Sequence, residues 1–419
     1  MIEIRPLERC DAIVVIPGSK SYTHRALIVS ALAPGESILL KGLRSEDTEH
    51  TAAGLKKFGV PISWEGDFIR VQGKGGSFKG GGEKIYLGHS GTSMRFLTAL
   101  AALRKGSTHL DGSGRMRQRP IAELVAALNA LGVRAYSLEG RGFPPVVVES
   151  RGLMGGVVRI HGGESSQFLS GLLMVAPYAR GDVCLEVVDR LASRPYVDMT
   201  LEVMSAFGVE VQCSGGSSFF IRAGQCYRPQ EYRVEGDASN ASYFFAAAAV
   251  TRGRVKVENF RPASVQGDVG FLNILENMGC EVKREADYAE VRGGRLYGIE
   301  VDMNAMPDLV PTLAVTAAFA QGSTVMKNIG HLRLKESDRI VATAGELTKL
   351  GISAEAGGDW LKVKGGGARG AVVETHNDHR LAMSFAVAGL AVPGIRIQGE
   401  ECVAKSFPAF WETLEKLYS

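Results

Sequence analysis

Cysteine is scarce and scattered in this chain. The six cysteines (Cys10, Cys184, Cys213, Cys226, Cys280, Cys402) lie far apart among 419 residues, with no CxxC pair and no histidine at metal-ligand spacing, so neither a zinc site nor a disulfide framework is expected. Excess charge is also lacking: Lys plus Arg minus Asp plus Glu is 48 − 45 = +3, which points to no nucleic-acid and no membrane-surface partner. The most apolar stretches, 309–320 and 381–392, stop short of the roughly 20 residues needed to span a bilayer. The opening Met1-Ile-Glu-Ile-Arg-Pro6 lacks the charged, apolar and small-residue succession of a signal peptide. A cytoplasmic protein with reduced thiols is expected. No GxxxxGK[ST] occurs, and no GxGxxG links a strand to a helix, so ATP and NAD are not indicated.

Glycine, by contrast, is abundant, at 52 of 419 residues against a usual ~7%. The glycines punctuate a pattern found six times: a polar start, a helix-length run rich in Ala, Leu and Val, a glycine near its end, then a strand-like run. The copies begin at Lys20, Gly91, Ser165, Asp237, Pro307 and Asn377, and their aligned glycines (Gly35, Gly106, Gly181, Gly253, Gly322, Gly394) are 71, 75, 72, 69 and 72 residues apart. In five copies a second helix ends in an apolar residue, a glycine and a strand, as in GLKKFGVPIS and LVAALNALGVRAY. Glycine there suits a left-handed helix end. The sixth copy keeps its second helix, 410–417. A period near 70 exceeds the roughly 20–50 residues of solenoid repeats and fits six α/β (α+β) units. The first helices are apolar nearly all round, so they are expected inside each domain. The fold class follows: two similar domains of three βαβαββ units, an inside-out α/β barrel.

The copies differ where the first helix starts, the place at which free backbone N–H groups and the helix dipole favour an anion. Capping alone accounts for Asp237-Ala-Ser-Asn240. It does not account for Lys20, Arg25 and Arg380, because cations near a helix N-terminus oppose the dipole unless an anionic ligand joins them. Two further runs concentrate charge. Residues 114–120, Gly-Arg-Met-Arg-Gln-Arg-Pro, place three guanidiniums before a helix, a set suited to carboxylate or phosphate. Residues 332–339, Leu-Arg-Leu-Lys-Glu-Ser-Asp-Arg, interleave cations with acids. A solvated helix with a Glu336–Arg339 pair would explain this second run equally well.

Ten ordered motifs, from PGSKSYTHRALIVSALAPG through LGHSGTSMRFL, RMRQRPI, SSQFLSGLL, SRPYVDMT, VEGDASNASYFFAAAA, PDLVPTLAV, LRLKESDR and NDHRLAMSFA to KSFPAFWETL, resemble the 5-enolpyruvylshikimate-3-phosphate (EPSP) synthase family of enolpyruvyl transferases over essentially the whole length. The resemblance implies one domain at 19–233 and a second made of 1–18 plus 234–419, with the active site in the interdomain cleft. It also implies transfer of the enolpyruvyl group of phosphoenolpyruvate to the 5-hydroxyl of shikimate 3-phosphate, through a tetrahedral intermediate, in aromatic amino-acid biosynthesis, by a monomer needing no cofactor and no metal. Carried over residue by residue, Asp308, Glu336 and Lys20 would be catalytic. Shikimate 3-phosphate would meet Lys20, Ser21, Arg25, Ser165, Ser166, Gln167, Ser193, Tyr196, Asp308, His331 and Lys335. Phosphoenolpyruvate would meet Lys20, Gly91, Arg119, Gln167, Arg339, His379, Arg380 and Lys405. Gly91 would also leave room for glyphosate to compete with phosphoenolpyruvate.

His89 and His331 depart from the family pattern, standing where Asn or another polar residue is usual. Two other readings remain open from the residues. UDP-N-acetylglucosamine enolpyruvyl transferase shares the fold but typically has a reactive cysteine in the loop 112–119, which here has none, and Ser165-Ser166-Gln167 favours shikimate 3-phosphate. An inactive anion-binding repeat protein would not need Asp308 and Glu336 beside Lys20 and Lys405.

Overall fold

The computed structural model describes residues 1–78 and 82–418, and the chain divides into two compact units, 18–234 and 1–17 with 235–419. In the first unit six helices alternate in kind: α1 (Lys20–Leu32), α2 (Glu46–Lys57), α3 (Gly91–Ala101), α4 (Ala122–Ala130), α5 (Ser166–Val175) and α6 (Pro195–Ala206). The second unit repeats the alternation with α7 (Ala238–Thr251), α8 (Phe271–Met278), α9 (Val310–Ala317), α10 (Arg339–Lys349), α11 (His379–Ala391) and α12 (Phe410–Glu415). Odd-numbered helices are buried along almost their whole length, and even-numbered ones bury one face. Composition explains the difference. Every residue of α7, ASNASYFFAAAAVT, is buried, and its small Ala side chains let α9 and α11 pack closely without loss of rotamer freedom. The amphipathic α8 instead turns Phe271, Leu272, Ile274, Leu275 and Met278 inward, at the spacing of one helix face.

Among the described residues six sheets, five of four strands and one of three, lie outside the inner helices. The four-stranded sheets share one plan, a parallel pair with an antiparallel hairpin added to it, and in three of them a single inner helix bridges the parallel pair. In one of them, 83–86 pairs parallel with 106–111 (Lys84 opposite His109), and 146–150 and 134–137 follow antiparallel. Strand Asp11–Val15 alternates exposed and buried residues, as expected when the inner helices cover only one face of the sheet. The first sheet of each unit takes its parallel edge from far along the chain: Glu231–Arg233 pairs with Ile38–Leu40, and Asp11–Val15 pairs with Arg254–Glu258. In the three-stranded sheet Ile2–Glu3 runs antiparallel to Arg396–Gln398 and takes the place of the missing hairpin.

Gly18 and Gly236 sit where the chain passes from one unit to the other. A Cβ at Gly18 would stand 1.9 Å from the Lys41 carbonyl oxygen, and one at Gly236 would stand 1.7 Å from that of Asn259. The offsets are identical, 236 − 18 = 218 and 259 − 41 = 218, so both crossings use the same close backbone approach, which only glycine permits. After the outer helices, Gly59, Gly132, Gly208, Gly279 and Gly351 all have φ between 81° and 109°, the left-handed helix end expected from the repeat. Six βαβαββ-type units with buried helices are the observed α/β architecture. No helix among the described residues is long and apolar enough to cross a membrane.

Candidate active site

In unit 18–234, side-chain hydrogen bonds tie three inner-helix starts together. Ser19 caps α1, accepting from Tyr22 N at 3.4 Å. Lys20 Nζ donates to Asp47 Oδ2 at 3.1 Å, with both side chains nearly closed to solvent. The Asp47 carbonyl in turn accepts from Ser93 Oγ of α3 at 3.2 Å. Gln167 of α5 donates through Nε2 to Thr92 Oγ1 at 3.0 Å, beside the cap residue Ser165 and the buried Ser166. The N-termini of α1, α3 and α5, each carrying unsatisfied N–H groups and a partial positive charge, therefore open onto one region.

Arg25 is walled in beside them. Its Nε donates to Thr200 Oγ1 at 2.8 Å, Nη1 to the Ser21 carbonyl at 2.8 Å, and Nη2 to the Tyr196 carbonyl at 2.7 Å. These acceptors are neutral, and burial lowers the guanidinium to about 10. Arg25 thus ties Ser21 to Tyr196 and brings positive charge to their side of the region. Ser193 is buried and has φ 55°, a left-handed conformation that non-glycine residues adopt at a cost, commonly at functional sites.

The three arginines of 114–120 do not act as a set. Arg117 is exposed and pairs with Asp111 at 2.9 Å, Arg115 is half-buried and reaches Gln118 at 3.3 Å, and Arg119 is buried. The 3-10 turn 116–118 explains the split: with three residues per turn, Met116 and Arg119 share the inward side. A Cβ on Gly91 would lie 2.6–2.7 Å from the Arg119 guanidinium, so Arg119 rests across the start of α3. His89, the first departure from the family pattern, bonds through Nδ1 to Ser113 Oγ at 2.9 Å, and Ser113 accepts from Met116 N at 3.3 Å. The histidine therefore anchors the loop that carries Arg119.

Unit 1–17 with 235–419 holds a denser cluster. Asp308 lies in the short turn leading into α9. It accepts from Arg339 Nη1 at 2.8 Å and from Arg380 Nη2 at 3.0 Å, with Lys335 Nζ 3.8 Å away. Glu336 accepts from Arg339 Nη2 at 2.9 Å and lies 3.4 Å from Lys405 Nζ. The Glu336–Arg339 pair thus forms, yet inside the cluster, because Arg339 is buried. Asp378 caps α11 by accepting from Arg380 N at 3.0 Å, and the same carboxylate accepts from Arg339 Nε at 2.7 Å. His379 is buried next to it. Burial alone would lower the Arg339 pKa, but Asp378, Glu336 and Asp308 together raise it. His331 is pushed down to about 4, chiefly by burial and then by Lys335, so it stays neutral near pH 7. Four cations and three carboxylates meet here at the starts of helices.

The sequence reading missed four residues that shape these clusters: Asp47, Tyr243, Asp268 and Asp378. Asp378 is visible in sequence only as a cap, and nothing local signals that its carboxylate also reaches Arg339. Asp268 is buried, accepts from Ser239 Oγ, and is raised to about 7 by burial and by the charge of Asp308. Elsewhere among the described residues, Glu346, Glu374 and His376 gather as potential metal ligands. The Glu346 oxygens there accept from Lys349 at 2.8 Å and from Glu374 N at 3.1 Å, and His376 Nε2 lies 2.8 Å away.

Residues 4–414 match the family model described as EPSP synthase (3-phosphoshikimate 1-carboxyvinyltransferase). The chain belongs to the EPSP synthase family. A 3-phosphoshikimate 1-carboxyvinyltransferase from Nostoc punctiforme is 48% identical over 414 residues, covering 98% of this chain and 97% of the relative. A solved EPSP synthase from Acinetobacter baumannii superposes with a TM-score of 0.82 at 28% identity, over 99% of this chain and 97% of that one. The enolpyruvyl transferase NikO from Streptomyces tendae reaches a TM-score of 0.79 over the same shares of the two chains. Its 20% identity makes that likeness one of fold.

Proposed function

We propose that this chain transfers the enolpyruvyl group of phosphoenolpyruvate to the 5-hydroxyl of shikimate 3-phosphate, releasing phosphate. The supporting observation is Asp308, whose carboxylate is held between Arg339 and Arg380 with Glu336 and Lys405 alongside. Two substrates that each carry a carboxylate and a phosphate of about −1.5 to −2 bring together about five to six negative charges. Only several fixed cations offset that repulsion, and they act most strongly where water is excluded.

The 5-hydroxyl oxygen bonds to C2 of phosphoenolpyruvate while its proton passes to Asp308 and C3 gains a proton. The tetrahedral intermediate then loses a C3 proton and phosphate, restoring the double bond. Glu336 and Lys20 serve the methylene carbon and the leaving phosphate. Ser21, Arg25, Ser165, Ser166, Gln167, Ser193, Tyr196, His331 and Lys335 hold shikimate 3-phosphate, and Gly91, Arg119, Gln167, Arg339, His379, Arg380 and Lys405 hold phosphoenolpyruvate. Before substrate arrives, Asp308 is the counter-ion of Arg339 and Arg380. The phosphoenolpyruvate carboxylate takes over those guanidiniums, and Asp308, relieved of two cations, becomes a stronger base. The enzyme is read as a cytoplasmic monomer, and its six free cysteines fit a reducing compartment. A phosphate-release assay with each substrate omitted in turn tests the reading. Release that requires both substrates supports it, and release from phosphoenolpyruvate alone would overturn it.

A further inference from the structure

Arg339 and Arg380 carry the same charge in different company. Arg339 contacts three carboxylates, Asp378, Glu336 and Asp308. Arg380 side-chain nitrogens contact one carboxylate, Asp308 at 3.0 Å, and one phenol, Tyr243 Oη, which accepts from Nη1 at 3.0 Å. Tyr243 lies in the second turn of α7 and is fully buried, with its ring edge-to-face against Phe410 at 5.8 Å and 78°. Packing of this kind fixes the ring plane and so fixes where the oxygen points. Burial raises the phenol to about 12, so it orients the guanidinium as a neutral acceptor. A carboxylate in its place would cancel the charge that an anionic substrate needs.

We infer that Tyr243 is a positioning residue for substrate binding: it holds the Arg380 guanidinium in the plane that receives the phosphoenolpyruvate carboxylate, and keeps it there when Asp308 exchanges that guanidinium for the substrate. The inference rests on Arg380 being a phosphoenolpyruvate ligand, as proposed above. No group on Tyr243 takes part in bond making.

Steady-state kinetics on Tyr243→Phe, Arg380→Lys and the double variant test it, with thermal midpoints recorded for each. Tyr243→Phe keeps the ring and removes only the acceptor. The KM for phosphoenolpyruvate is expected to rise roughly tenfold, the cost of one hydrogen bond to a charged group, with the KM for shikimate 3-phosphate within twofold of the parent. In the double variant the effect of Tyr243→Phe should largely vanish, since it acts through the guanidinium. An unchanged KM for phosphoenolpyruvate in Tyr243→Phe, equal rises for both substrates, or full additivity would overturn the inference. If Arg380→Lys itself left that KM unchanged, the ligand assignment of Arg380 would fall first.

Discussion

At the scale of single residues, Asp308 carries two jobs that one substitution separates. Asp308→Asn removes the proposed base and should lower kcat by roughly 10²–10⁴. It also removes the carboxylate that competes with substrate for Arg339 and Arg380, so phosphoenolpyruvate should bind the shikimate 3-phosphate complex of this variant at least as tightly as it binds the parent. Calorimetric titration checks this, and a clearly weaker phosphoenolpyruvate affinity would count against the exchange of counter-ions. Arg119→Ala and Lys405→Ala should instead raise the KM for phosphoenolpyruvate, since each removes a cation proposed to hold that substrate in the ground state. Gly91→Ala should resemble Arg119→Ala in milder form. The space beside Gly91 holds the Arg119 guanidinium, so a methyl group there displaces the cation proposed to hold phosphoenolpyruvate.

At the scale of elements, two glycines in outer helices should respond with opposite signs. Gly279 ends α8 at φ 109°, and a Cβ there would stand 2.4 Å from the Arg295 carbonyl oxygen. Gly279→Ala therefore combines backbone strain with a clash and should destabilise the protein by about 1–3 kcal/mol. Gly345 lies inside α10 with open space around its would-be Cβ, so Gly345→Ala should stabilise it by about 0.4–1 kcal/mol. Urea unfolding of the pair checks both signs. The repeating glycines made the outer helix ends legible in sequence, because a positive φ is a local demand. The inward turn of Arg119 was less legible, since it depends on three-residue periodicity inside a short loop.

For the whole molecule, Asp268 links folding to pH. Its folded pKa is raised to about 7, by burial first and then by Asp308, with Arg380 and Ser239 opposing, against about 3.9 when unfolded. Between roughly pH 4 and 7 the folded chain holds a proton that the unfolded chain has released, so stability falls as pH rises through that window. The thermal midpoint of the parent should therefore decline more from pH 5 to pH 8 than that of Asp268→Asn. His331, depressed to about 4, acts oppositely by favouring stability as pH rises toward its unfolded value. It is common to both proteins and cancels in the comparison. Parallel pH profiles would show that Asp268 does not hold its proton.

Sequence alone determined the six α/β units, the burial of the Ala-rich helices, the glycine stops and the cations Lys20 and Arg380 at helix starts, whereas Asp308, Glu336 and Arg339 were picked out by the family resemblance. The units, buried helices, glycine stops and helix-start cations depend on period, composition and residues near each other along the chain. Tertiary structure decided which charges meet. Asp47 reaches Lys20 and Ser239 reaches Asp268 across 27 and 29 residues, and Arg380 reaches Asp308 and Tyr243 across 72 and 137. It also decided that Ile2–Glu3 completes the sheet of Arg396–Gln398. A carboxylate's partner is set by where the chain returns in space, and an aspartate that caps a helix has the same one-letter neighbourhood whether or not a buried guanidinium lies beside it.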